Sequence, residues 1–460
     1  MSGLKFYTII NVIFCGLFLS FVQAQEWTTI TPDEQLSGWV IRGGKASFER
    51  HGDELVATCL DLRENTFLCT QRLYKDFILE YEMWVHPDVN SGVQIRSHSS
   101  LDYRNGRVHG LQVEVDPSDR KFTGGIYDEQ RRMWIYPVSQ NPAALDAYKN
   151  GRWNHFRVEA VGNEIKTWVN GIAVAHLIDD RTESGFIGLQ AHAIYRDEDI
   201  GKQVKWRNMK IMTEDLDSYR KATPYSLPQI SMLVNQLSER EKRQGWHLLW
   251  DGHSSAGWRG AKLDHFPSAG WTMSDGVLTI NGTDGSESMS YGDIITEGVY
   301  SNFHLKLEFK ITEGANSGIK YFVDPDLNKG SGSAIGCEYQ ILDDQNHPDA
   351  KMGVNGNRTL ASLYDLITAE NYSMKGRTKQ FKGIGQWNQA EIISRDGHVE
   401  HWLNGEKVLE YNRFSQMFRA LVAYSKYAKW PMFGQWESGH ILLQDHGDTV
   451  HYRSIKIKEL

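Results

Sequence analysis

The stretch Ala334–Asp349 reads AIGCEYQILDDQNHPD, and it shows the pattern on which much of the chain is built. Side chains alternate between the two faces of an extended strand. Cys337, Tyr339 and Ile341 therefore point one way, and Glu338 and Gln340 point the other. The first face is apolar and suits a core. The second carries a carboxylate beside an amide, which suits a hydroxyl-rich ligand or general acid–base chemistry.

The polar loop after this strand holds further groups that can exchange protons or bind a ligand. It contains Asp343, Asp344, His347 and Asp349. We predict Glu338 and Asp343 as proton-transfer groups, with Gln340 and His347 as ligand contacts.

A second polar segment is GHILLQDHGD, at residues 439–448. In a strand, Gln444 and His446 share one face. His446 can then act as a proton shuttle beside the Gln444 amide, or it can form a hydrogen bond within a turn. With His347 and Asp343 it could instead bind a divalent cation, although the spacing is too loose to require a metal ion.

Four more side chains are predicted to contact the same ligand. Asn316 belongs to an Asn-Ser-Gly tripeptide, which is equally typical of a tight turn. Lys320 follows it and could bind a ligand carbonyl or pair with a neighbouring acid. Tyr364 lies in a Leu-Tyr-Asp motif, and Lys426 lies among the aromatic residues of YSKYAKWPMFGQW at residues 424–436.

The second half of the chain repeats the motifs of the first in the same order. Asn90–Val93 returns as Asn316–Ile319, Trp168–Gly171 as Trp402–Gly405, and Gly188–His192 aligns with Leu442–His446. This conserved order indicates a duplicated domain. Gln112 and Glu114 of the first copy then occupy the positions of Glu338 and Gln340, so the acid and the amide are exchanged.

Each copy reads as short strands separated by Asn-Gly, Asp-Gly and Gly-rich turns. Phe303–Lys310 alternates strictly between apolar and polar residues. Val399–Leu409, with Asn404-Gly405 at its centre, is typical of a β-hairpin. Many strands and almost no helix predict an all-β chain of two tandem jelly-roll sandwiches.

We place the N-terminal copy at residues 25–212, a linker at 213–245 and the C-terminal copy at 246–460. A helix is predicted within the linker over Ser226–Gly245. Pro228 suits a first helical turn, Gly245 can end the helix, and the apolar residues between them are helically spaced.

Composition limits the classes of protein to which the chain can belong. Its 460 residues, 40% hydrophobic and 23% charged, suit a globular chain of two domains. The 42 Gly, 15 Trp and 20 Tyr against 11 Pro favour strands and tight turns. A net charge of −8 without a long basic run argues against a nucleic-acid partner.

Residues 1–24 are predicted to be a secretory signal peptide, cleaved after Ala24, which implies a secreted or periplasmic protein. Lys5 precedes an apolar run over Phe6–Val22. Cys15 raises the alternative of a lipoprotein, which the bulky Phe14 before it disfavours. No later stretch is long and apolar enough to span a membrane.

Three cysteines follow the predicted cleavage site. Cys59 and Cys69 could pair across neighbouring strands in an oxidising compartment, which would leave Cys337 as a small core residue.

The segment Glu114–Asp119, EVDPSD, half-resembles the E-x-D-x-x-E strand of retaining jelly-roll glycanases. Such enzymes need two carboxylates about 5–5.5 Å apart. Asp119 stands in the last position and Pro117 interrupts the strand alternation, so we interpret the similarity as fortuitous.

Together, the motifs resemble the 3-keto-disaccharide hydrolase domain family, formerly a domain of unknown function. The match covers nearly all of residues 240–460 and rests on Glu241–Trp258, Asn316–Ile319, Glu338–Asp343, His347–Asp349, Leu363–Asp365, His401–Gly405, Gly439–Asp448 and Tyr452–Lys458. Residues 27–212 resemble a divergent copy. It lacks the His-Pro-Asp loop and has Ala191–Ala193 in place of the Asp-His-Gly-Asp ending.

The resemblance implies concanavalin A-like jelly rolls and an enzyme that acts on glycosides oxidised to a ketone at the sugar C3. The ketone acidifies the C2 hydrogen, so a base can remove it, the aglycone leaves C1, and water adds back. Glu338, Asp343 and His446 would transfer protons. Gln340, Gln444 and Lys426 would bind substrate, and a cation or a divalent metal ion would stabilise the enolate.

The C-terminal copy would be catalytic and the N-terminal copy a binding or structural partner, with an oxidoreductase supplying the keto substrate. The alternative is a non-catalytic carbohydrate-binding protein with two lectin-like grooves. A glycanase acting on unoxidised polysaccharide is a third hypothesis.

Overall fold

The structure is a computed structural model that describes residues 27–60, 63–283, 292–372 and 378–460. The predicted signal peptide, with Cys15, lies outside these residues. Among the described residues, no helix combines the length and the hydropathy needed to cross a membrane.

The N-terminal copy is built from short antiparallel strands, and the alternation of its side chains buries one face of each sheet. The strands are β1 Thr28–Thr29, β2 Trp39–Gly43, β3 Ser47–His51, β4 Glu54–Thr58, β5 Thr66–Thr70, β6 Phe77–Val85, β7 Ser91–His98, β8 His109–Val115, β9 Ile126–Glu129, β10 Met133–Tyr136, β11 Asn154–Val161, β12 Glu164–Val169, β13 Ile172–Ile178, β14 Phe186–Ala191, β15 Gln203–Met212 and β16 Ile230–Ser231.

These strands form two sheets packed face to face. One has the order β16-β13-β12-β11-β6-β15-β4-β3, with β1 on β15, and the other has the order β10-β9-β8-β7-β14-β5-β2. Apolar residues such as Leu79, Tyr81, Val93 and Ile95 fill the space between them. The result is a sandwich that leaves the outer face of the second sheet for polar side chains.

The C-terminal copy repeats this arrangement. Its strands are β17 Trp246–Leu248, β18 Trp258–Gly260, β19 Trp271–Ser274, β20 Val277–Ile280, β21 Ile294–Thr296, β22 Phe303–Ile311, β23 Asn316–Asp324, β24 Ile335–Leu342, β25 Asn388–Arg395, β26 His398–Leu403, β27 Glu406–Asn412, β28 His440–Leu443 and β29 Val450–Glu459. One sheet has the order β19-β20-β29-β22-β25-β26-β27, with β17 on β29, and the other has the order β18-β21-β28-β23-β24.

Helix is scarce in both copies. The described residues contain the α-helices α1 Glu239–Arg243 and α2 Gln416–Ala423. Short 3-10 turns lie at Arg104–Gly106, Val138–Gln140, Pro142–Ala144, Asp197–Asp199, Leu216–Ser218, Pro348–Lys351 and Lys426–Lys429. The chain is therefore all-β, with two tandem concanavalin A-like jelly-roll sandwiches, as the sequence predicts.

Two local predictions are also confirmed. The alternating stretch from Phe303 lies in β22, where apolar side chains are buried at alternate positions along most of the strand. The predicted hairpin is formed by β26 and β27, with Asn404 and Gly405 both at positive φ between them. Positive φ at both central residues matches the twist of the flanking strands.

The strand register shows that the two copies correspond residue by residue. In the N-terminal copy, Gly92 pairs with Glu114 and Gln94 with Gln112. In the C-terminal copy, Gly318 pairs with Gln340 and Lys320 with Glu338. Both strand pairs are followed by a bulge, at Arg96 (φ 46°) in the first copy and at Phe322 (φ 53°) in the second.

The linker differs from the prediction. A helix beginning near Pro228 is wrong, because Ile230–Ser231 forms β16 and pairs with the edge strand β13. The helix begins only after Ser238, whose side chain accepts from the Glu241 amide while the Glu241 carboxylate accepts from the Ser238 amide. This reciprocal cap fixes the helix start at Glu239, nine residues later than the first β16 residue.

Pairing of Cys59 with Cys69 is also wrong. Cys59 follows β4 in one sheet, Cys69 lies in β5 of the other, and both are free and buried. Burial raises the pKa of Cys59 to about 11 and that of Cys69 to about 12. Cys337 is a buried core residue, as predicted.

Candidate functional site

The centre of the candidate site is an ion pair on the polar face of the β23–β24 ladder. Glu338 Oε2 lies 3.7 Å from Lys320 Nζ, and the two residues are only 5% and 6% exposed. The opposite face of β24 packs Cys337, Tyr339 and Ile341 into the core, as the alternation predicts. A buried carboxylate needs such a partner, because desolvation without one is costly.

Gly318 allows the Glu338 carboxylate to lie over the neighbouring strand. A Cβ atom at position 318 would stand 2.3 Å from Glu338 Oε1. The carboxylate therefore sits against the β23 backbone rather than extending outward.

The Gln340 amide connects this carboxylate to Asn316. With its nitrogen toward the carboxylate, it donates to Glu338 Oε1 at 3.2 Å and to the Ser317 carbonyl at 3.1 Å. The Asn316 side chain lies 3.2 Å from the same amide. Gln444, whose backbone amide donates to the Gly318 carbonyl at 2.9 Å, continues the polar face onto the next strand.

Lys320 is held by groups that the sequence analysis did not identify. Its ammonium donates to the Ser333 hydroxyl and, at 3.3 Å, to the Ala334 carbonyl. Ser333 in turn donates to Asp293 Oδ2 at 2.5 Å, and Asp293 Oδ1 accepts from the Asp445 amide at 3.0 Å. Asp293 is 4% exposed and lies far from these motifs in sequence, so no local pattern indicated it.

His347 and His446 meet at the end of the same face, together with Asp448. One nitrogen or oxygen of each residue lies within 4.8 Å of one in each of the others. The two imidazole rings are 6.1 Å apart and perpendicular. His347 and His446 were predicted to share a site, but the carboxylate beside them belongs to Asp448 rather than Asp343.

These three residues fit a divalent cation. Two imidazoles and a carboxylate are a common ligand set for zinc and similar ions. His347 Nδ1 accepts from the Asp349 amide at 3.1 Å, which leaves its Nε2 to bind. His446 Nδ1 is buried without a hydrogen-bond partner in the described part of the chain. Burial and the neighbouring His446 keep the pKa of His347 below its usual value, which favours the neutral, ligating form.

A second group with metal-like spacing does not form a comparable site. His398, Glu400 and Glu410 lie on the other sheet of this copy. Lys407 already pairs with both carboxylates, at 3.4 and 2.7 Å, so a cation is present there.

Asp343 fixes the loop rather than facing a ligand. Its Oδ2 accepts from the Gly314 amide and from Asn346 Nδ2, each at 2.8 Å. Its Oδ1 accepts from the amides of Gln345 and Asn346. These bonds lower the pKa of Asp343 against the effect of burial, so its carboxylate is ionised and fully engaged.

Tyr364 and Lys426 form one wall of the site. The Tyr364 hydroxyl donates to Asp349 Oδ2 at 2.7 Å, and Arg358 bridges Asp349 and Asp365 at 2.9 and 2.7 Å. The Lys426 ammonium lies 4.1 Å from the centre of the Tyr364 ring. The backbone amide of Tyr364 donates to the Glu338 carbonyl at 3.0 Å, so this wall is attached directly to β24, the strand that carries Glu338.

The ion pair of Glu338 and Lys320 is separated by about the width of one sugar ring from the cluster of His347, His446 and Asp448. The Glu338 carboxylate lies over Gly318, and Asn316 is two residues away, or about 7 Å along a strand. The backbone N–H of Asn316 donates to Asp448 Oδ2 at 2.9 Å, beside the two imidazoles. A carboxylate–ammonium pair and an imidazole–carboxylate cluster thus flank one row of amides.

Sequence reasoning placed the predicted residues on one face but missed several of their partners. Asp293, Ser333, Arg358 and Asp448 were not assigned roles. Asp448 carried a usable signal, because it lies two residues after His446 and ends the Asp-His-Gly-Asp motif.

A jelly-roll face that carries acid, base and amide groups is of the kind found in carbohydrate-active proteins, and comparison with known proteins gives the family. Residues 26–212 and 245–458 both match the 3-keto-alpha-glucoside-1,2-lyase-like domain. The chain belongs to this family and contains two copies of its domain.

Three similar proteins each align with about half of this chain. A 3-keto-disaccharide hydrolase of Bacteroides thetaiotaomicron is 35% identical over an alignment of 267 residues that covers 54% of this chain and 89% of that protein. Two crystal structures from Parabacteroides distasonis, both described as candidate glycosyl hydrolases, are similar. One is 31% identical, with a TM-score of 0.43, over 50% of this chain and 100% of its own. The other is 24% identical, with a TM-score of 0.35, over 47% and 99%.

Proposed function

We propose that the C-terminal copy cleaves 3-keto-glycosides, including 3-keto-disaccharides, by elimination followed by hydration. The observation that carries this proposal is the buried Glu338 carboxylate, held over Gly318 beside Lys320 and facing an imidazole cluster across a row of amides. The family match and the name of the Bacteroides relative support the choice of a 3-keto substrate.

In the proposed reaction, Glu338 removes the C2 proton, which the neighbouring ketone makes acidic. The C1–O bond breaks as the C1=C2 double bond forms, and the leaving oxygen takes a proton from His446. Water then adds to C1 and a proton returns to C2. Each proton that leaves is restored, so the net change is hydrolysis.

Charge on the keto oxygen is stabilised by groups on the same face. In this proposal the side chains of Gln444 and Lys426 donate to substrate oxygens. Lys320 and Gln340, whose donors already engage neighbouring protein groups, hold the Glu338 carboxylate in position. A divalent ion held by His347, His446 and Asp448 would supply further positive charge to the keto oxygen. Asp343 is assigned a positioning role, in place of the proton-transfer role predicted from sequence.

The decisive experiment follows the hydrogen on C2. The full chain is incubated in D2O with 3-keto-disaccharides of α and β linkage, and the released keto-sugar is returned to H2O before mass spectrometry. Elimination and re-addition leave one deuterium on C2, whereas direct displacement at C1 leaves none. Keto-sugar incubated without protein corrects for spontaneous exchange.

Glu338→Gln is expected to lower the rate of product release by roughly 10²–10⁴-fold, the usual contribution of general acid–base catalysis. His446→Ala should have a similar effect. Glu400→Gln, a carboxylate change on the opposite sheet, is the matched control. If Glu338→Gln cleaves as fast as the wild-type protein, or if the product carries no deuterium, the proposed mechanism is wrong.

The same assay separates the alternatives. Saturable glycan binding without product from any keto-glycoside would favour a binding protein with two grooves. Release of sugar from unoxidised polysaccharide would favour a glycanase. A chelator should lower the rate only if the imidazole cluster binds a metal ion, and His347→Ala should then remove the sensitivity to chelator.

We also propose that the enzyme acts outside the cytoplasm and that an oxidoreductase supplies its substrate, since the C3 ketone must be made by oxidation. Intact-mass measurement on the protein isolated from its source should give a chain that begins at Gln25.

A further inference from the structure

The N-terminal copy carries its own row of polar side chains on the face that corresponds to the candidate catalytic face. Residues directly opposite each other in antiparallel strands share a face. Tyr127 on β9 pairs with Gln112 on β8, and Gln112 pairs with Gln94 on β7. Glu114 and Gln190 flank Gly92 in the next row. We call these five side chains, with Trp134 beside Tyr127, the amide face.

Hydrogen bonds join the side chains of the amide face into one network. Gln94 Nε2 donates to Gln112 Oε1 at 2.8 Å, and Gln112 Nε2 donates to Glu114 Oε2 at 2.7 Å. Gln190 Oε1 lies 3.3 Å from the same Gln112 nitrogen, and Asn90 Nδ2 donates to Glu114 Oε1 at 2.7 Å. The network fixes the orientation of each amide before any ligand arrives.

The amide face has no counterpart of the ion pair between Lys320 and Glu338. Gln94 replaces Lys320 and Gln112 replaces Glu338, so two charges become two amides. Burial raises the pKa of Glu114 to about 7, which keeps much of this carboxyl neutral near neutral pH. The charges that act on Glu114 are those of Asp116 and Arg120, which pair with each other at 2.6 Å.

Two buried atoms of the network still lack partners. Gln190 is fully buried, yet its Nε2 donates to no described group, and Asn90 Oδ1 accepts from none. Buried amide atoms are normally hydrogen-bonded, and their loss is costly.

An aromatic pair forms the other border of the amide face. Tyr127 and Trp134 are both partly exposed, and their ring centres are 5.4 Å apart. The Arg120 guanidinium lies 4.9 Å from the Trp134 ring and holds it in place. Apolar rings beside oriented amides match the two kinds of surface of a sugar, whose C–H groups stack and whose hydroxyl groups donate and accept.

We propose that the amide face of the N-terminal copy is a binding site for uncharged carbohydrate, which it holds without cleaving. This inference goes beyond the proposed function and does not depend on it.

Retention without cleavage follows from the groups that are missing at corresponding positions. Ile194, which is buried, stands where the C-terminal copy has Asp448. His192, the counterpart of His446, is bonded through Nδ1 to the Ala193 carbonyl at 2.6 Å. With neither the ion pair nor the imidazole–carboxylate cluster, the amide face can bind hydroxyl groups but has no equivalent acid–base pair.

The test measures binding in a full chain whose C-terminal site is disabled by Glu338→Gln and His446→Ala. Isothermal titration uses maltotriose, cellotriose and trehalose as neutral probes, and trigalacturonate as an acidic probe. We expect saturable binding of at least one neutral probe, and binding of trigalacturonate at least tenfold weaker. Product release by the otherwise wild-type chain reports on the proposed function separately.

Variants then locate the site. Trp134→Ala and Gln112→Ala should each weaken binding at least tenfold. Trp153→Ala, which removes a ring that Arg207 covers on the other sheet of the same copy, should not. Circular dichroism checks the fold of each variant, and Gln112→Glu provides a second change of similar size at position 112. The proposal is overturned if no neutral probe binds, if trigalacturonate binds as tightly, or if binding survives Trp134→Ala and both changes at Gln112.

Discussion

Gln112 and Glu338 occupy the same position in their sheets, each leaning over a glycine of the neighbouring strand. A Cβ at Gly92 would stand 2.6 Å from the Gln112 side chain, just as one at Gly318 would meet Glu338. The backbone geometry is therefore shared, and the difference between the two faces lies in the charge of the side chains. Chemistry can be gained or lost here without a change of fold.

Glu114 provides a prediction about stability and pH. Burial, with the neighbouring Asp116, raises its pKa from 4.5 to about 7, although Asn90 and Gln112 donate to it and Arg120 opposes the shift. A carboxyl with a raised pKa in the folded state stabilises the fold when neutral. That contribution is complete below pH 4.5 and is lost as the pH rises toward 7, at a cost on the order of 3 kcal/mol.

Glu114→Gln should therefore raise the urea midpoint at pH 8 and change it little at pH 4. Glutamine already occupies the corresponding position in the C-terminal copy, as Gln340, so the substitution fits the space. Asp119→Asn, at an exposed position in the following turn, is the control. An equal effect of Glu114→Gln at both pH values would contradict this account.

The strand pair β23–β24 is the element that positions the Glu338 carboxylate, which we propose as the base. Gly318→Ala places a methyl group 2.3 Å from Glu338 Oε1, and the flexible end of the Glu338 side chain can move away. We expect the rate of keto-sugar release to fall at least tenfold while the melting temperature changes by only a few degrees. Gly330→Ala, whose nearest side-chain atom is at 3.7 Å, is the control. Full activity in Gly318→Ala would show that the position of the carboxylate over β23 is unimportant.

Alternation and turn signals predicted β22, β24 and the β26–β27 hairpin, because each strand buries one face and that requirement is local. The bulges were not predictable in this way. Arg96 and Phe322 adopt positive φ, and the glycines on the adjoining strands, Gly185 and Gly439, approach them so closely that a Cβ would lie within 2.4 Å of their backbone. Such contacts join residues far apart in sequence.

The linker also depends on contacts between residues far apart in sequence, which local patterns do not predict. The helically spaced apolar residues Met232, Leu233 and Leu237 suggested one long helix, but Ile230 is drawn to the exposed edge of β13 by backbone pairing. The Ser-x-x-Glu capping box at Ser238 was the better signal for where the helix begins. For the site, the residue types on each strand were predictable, whereas the partners Asp293 and Ser333 depend on tertiary packing.

Across the whole molecule, the linker is bonded to both copies. β16 extends a sheet of the N-terminal copy, while Asn235 bonds to Ser454 and to the Gly276 carbonyl of the C-terminal copy. Glu241 pairs with Lys456 at 2.5 Å, and Gln140 donates to the Gly405 carbonyl. The two sandwiches are thus joined by directed contacts as well as by the chain.

Asn235→Ala should loosen the linker from the C-terminal copy, because it removes the two hydrogen bonds made by the Asn235 side chain and keeps only the one donated by the backbone amide of residue 235. We expect faster cleavage by trypsin at Arg240–Arg243, measured by limited proteolysis, with little change in the rate of keto-sugar release. Gln236→Ala, at the next position, is the control. Unchanged cleavage in Asn235→Ala would assign the attachment to other contacts.

The buried thiols have a consequence for how the protein is made. Burial raises the pKa of Cys337 to about 12, in line with Cys59 and Cys69, so all three described thiols stay protonated and unreactive at neutral pH. Protein prepared with a reducing agent should therefore have the same melting temperature as protein prepared without one, since the three described cysteines form no disulfide.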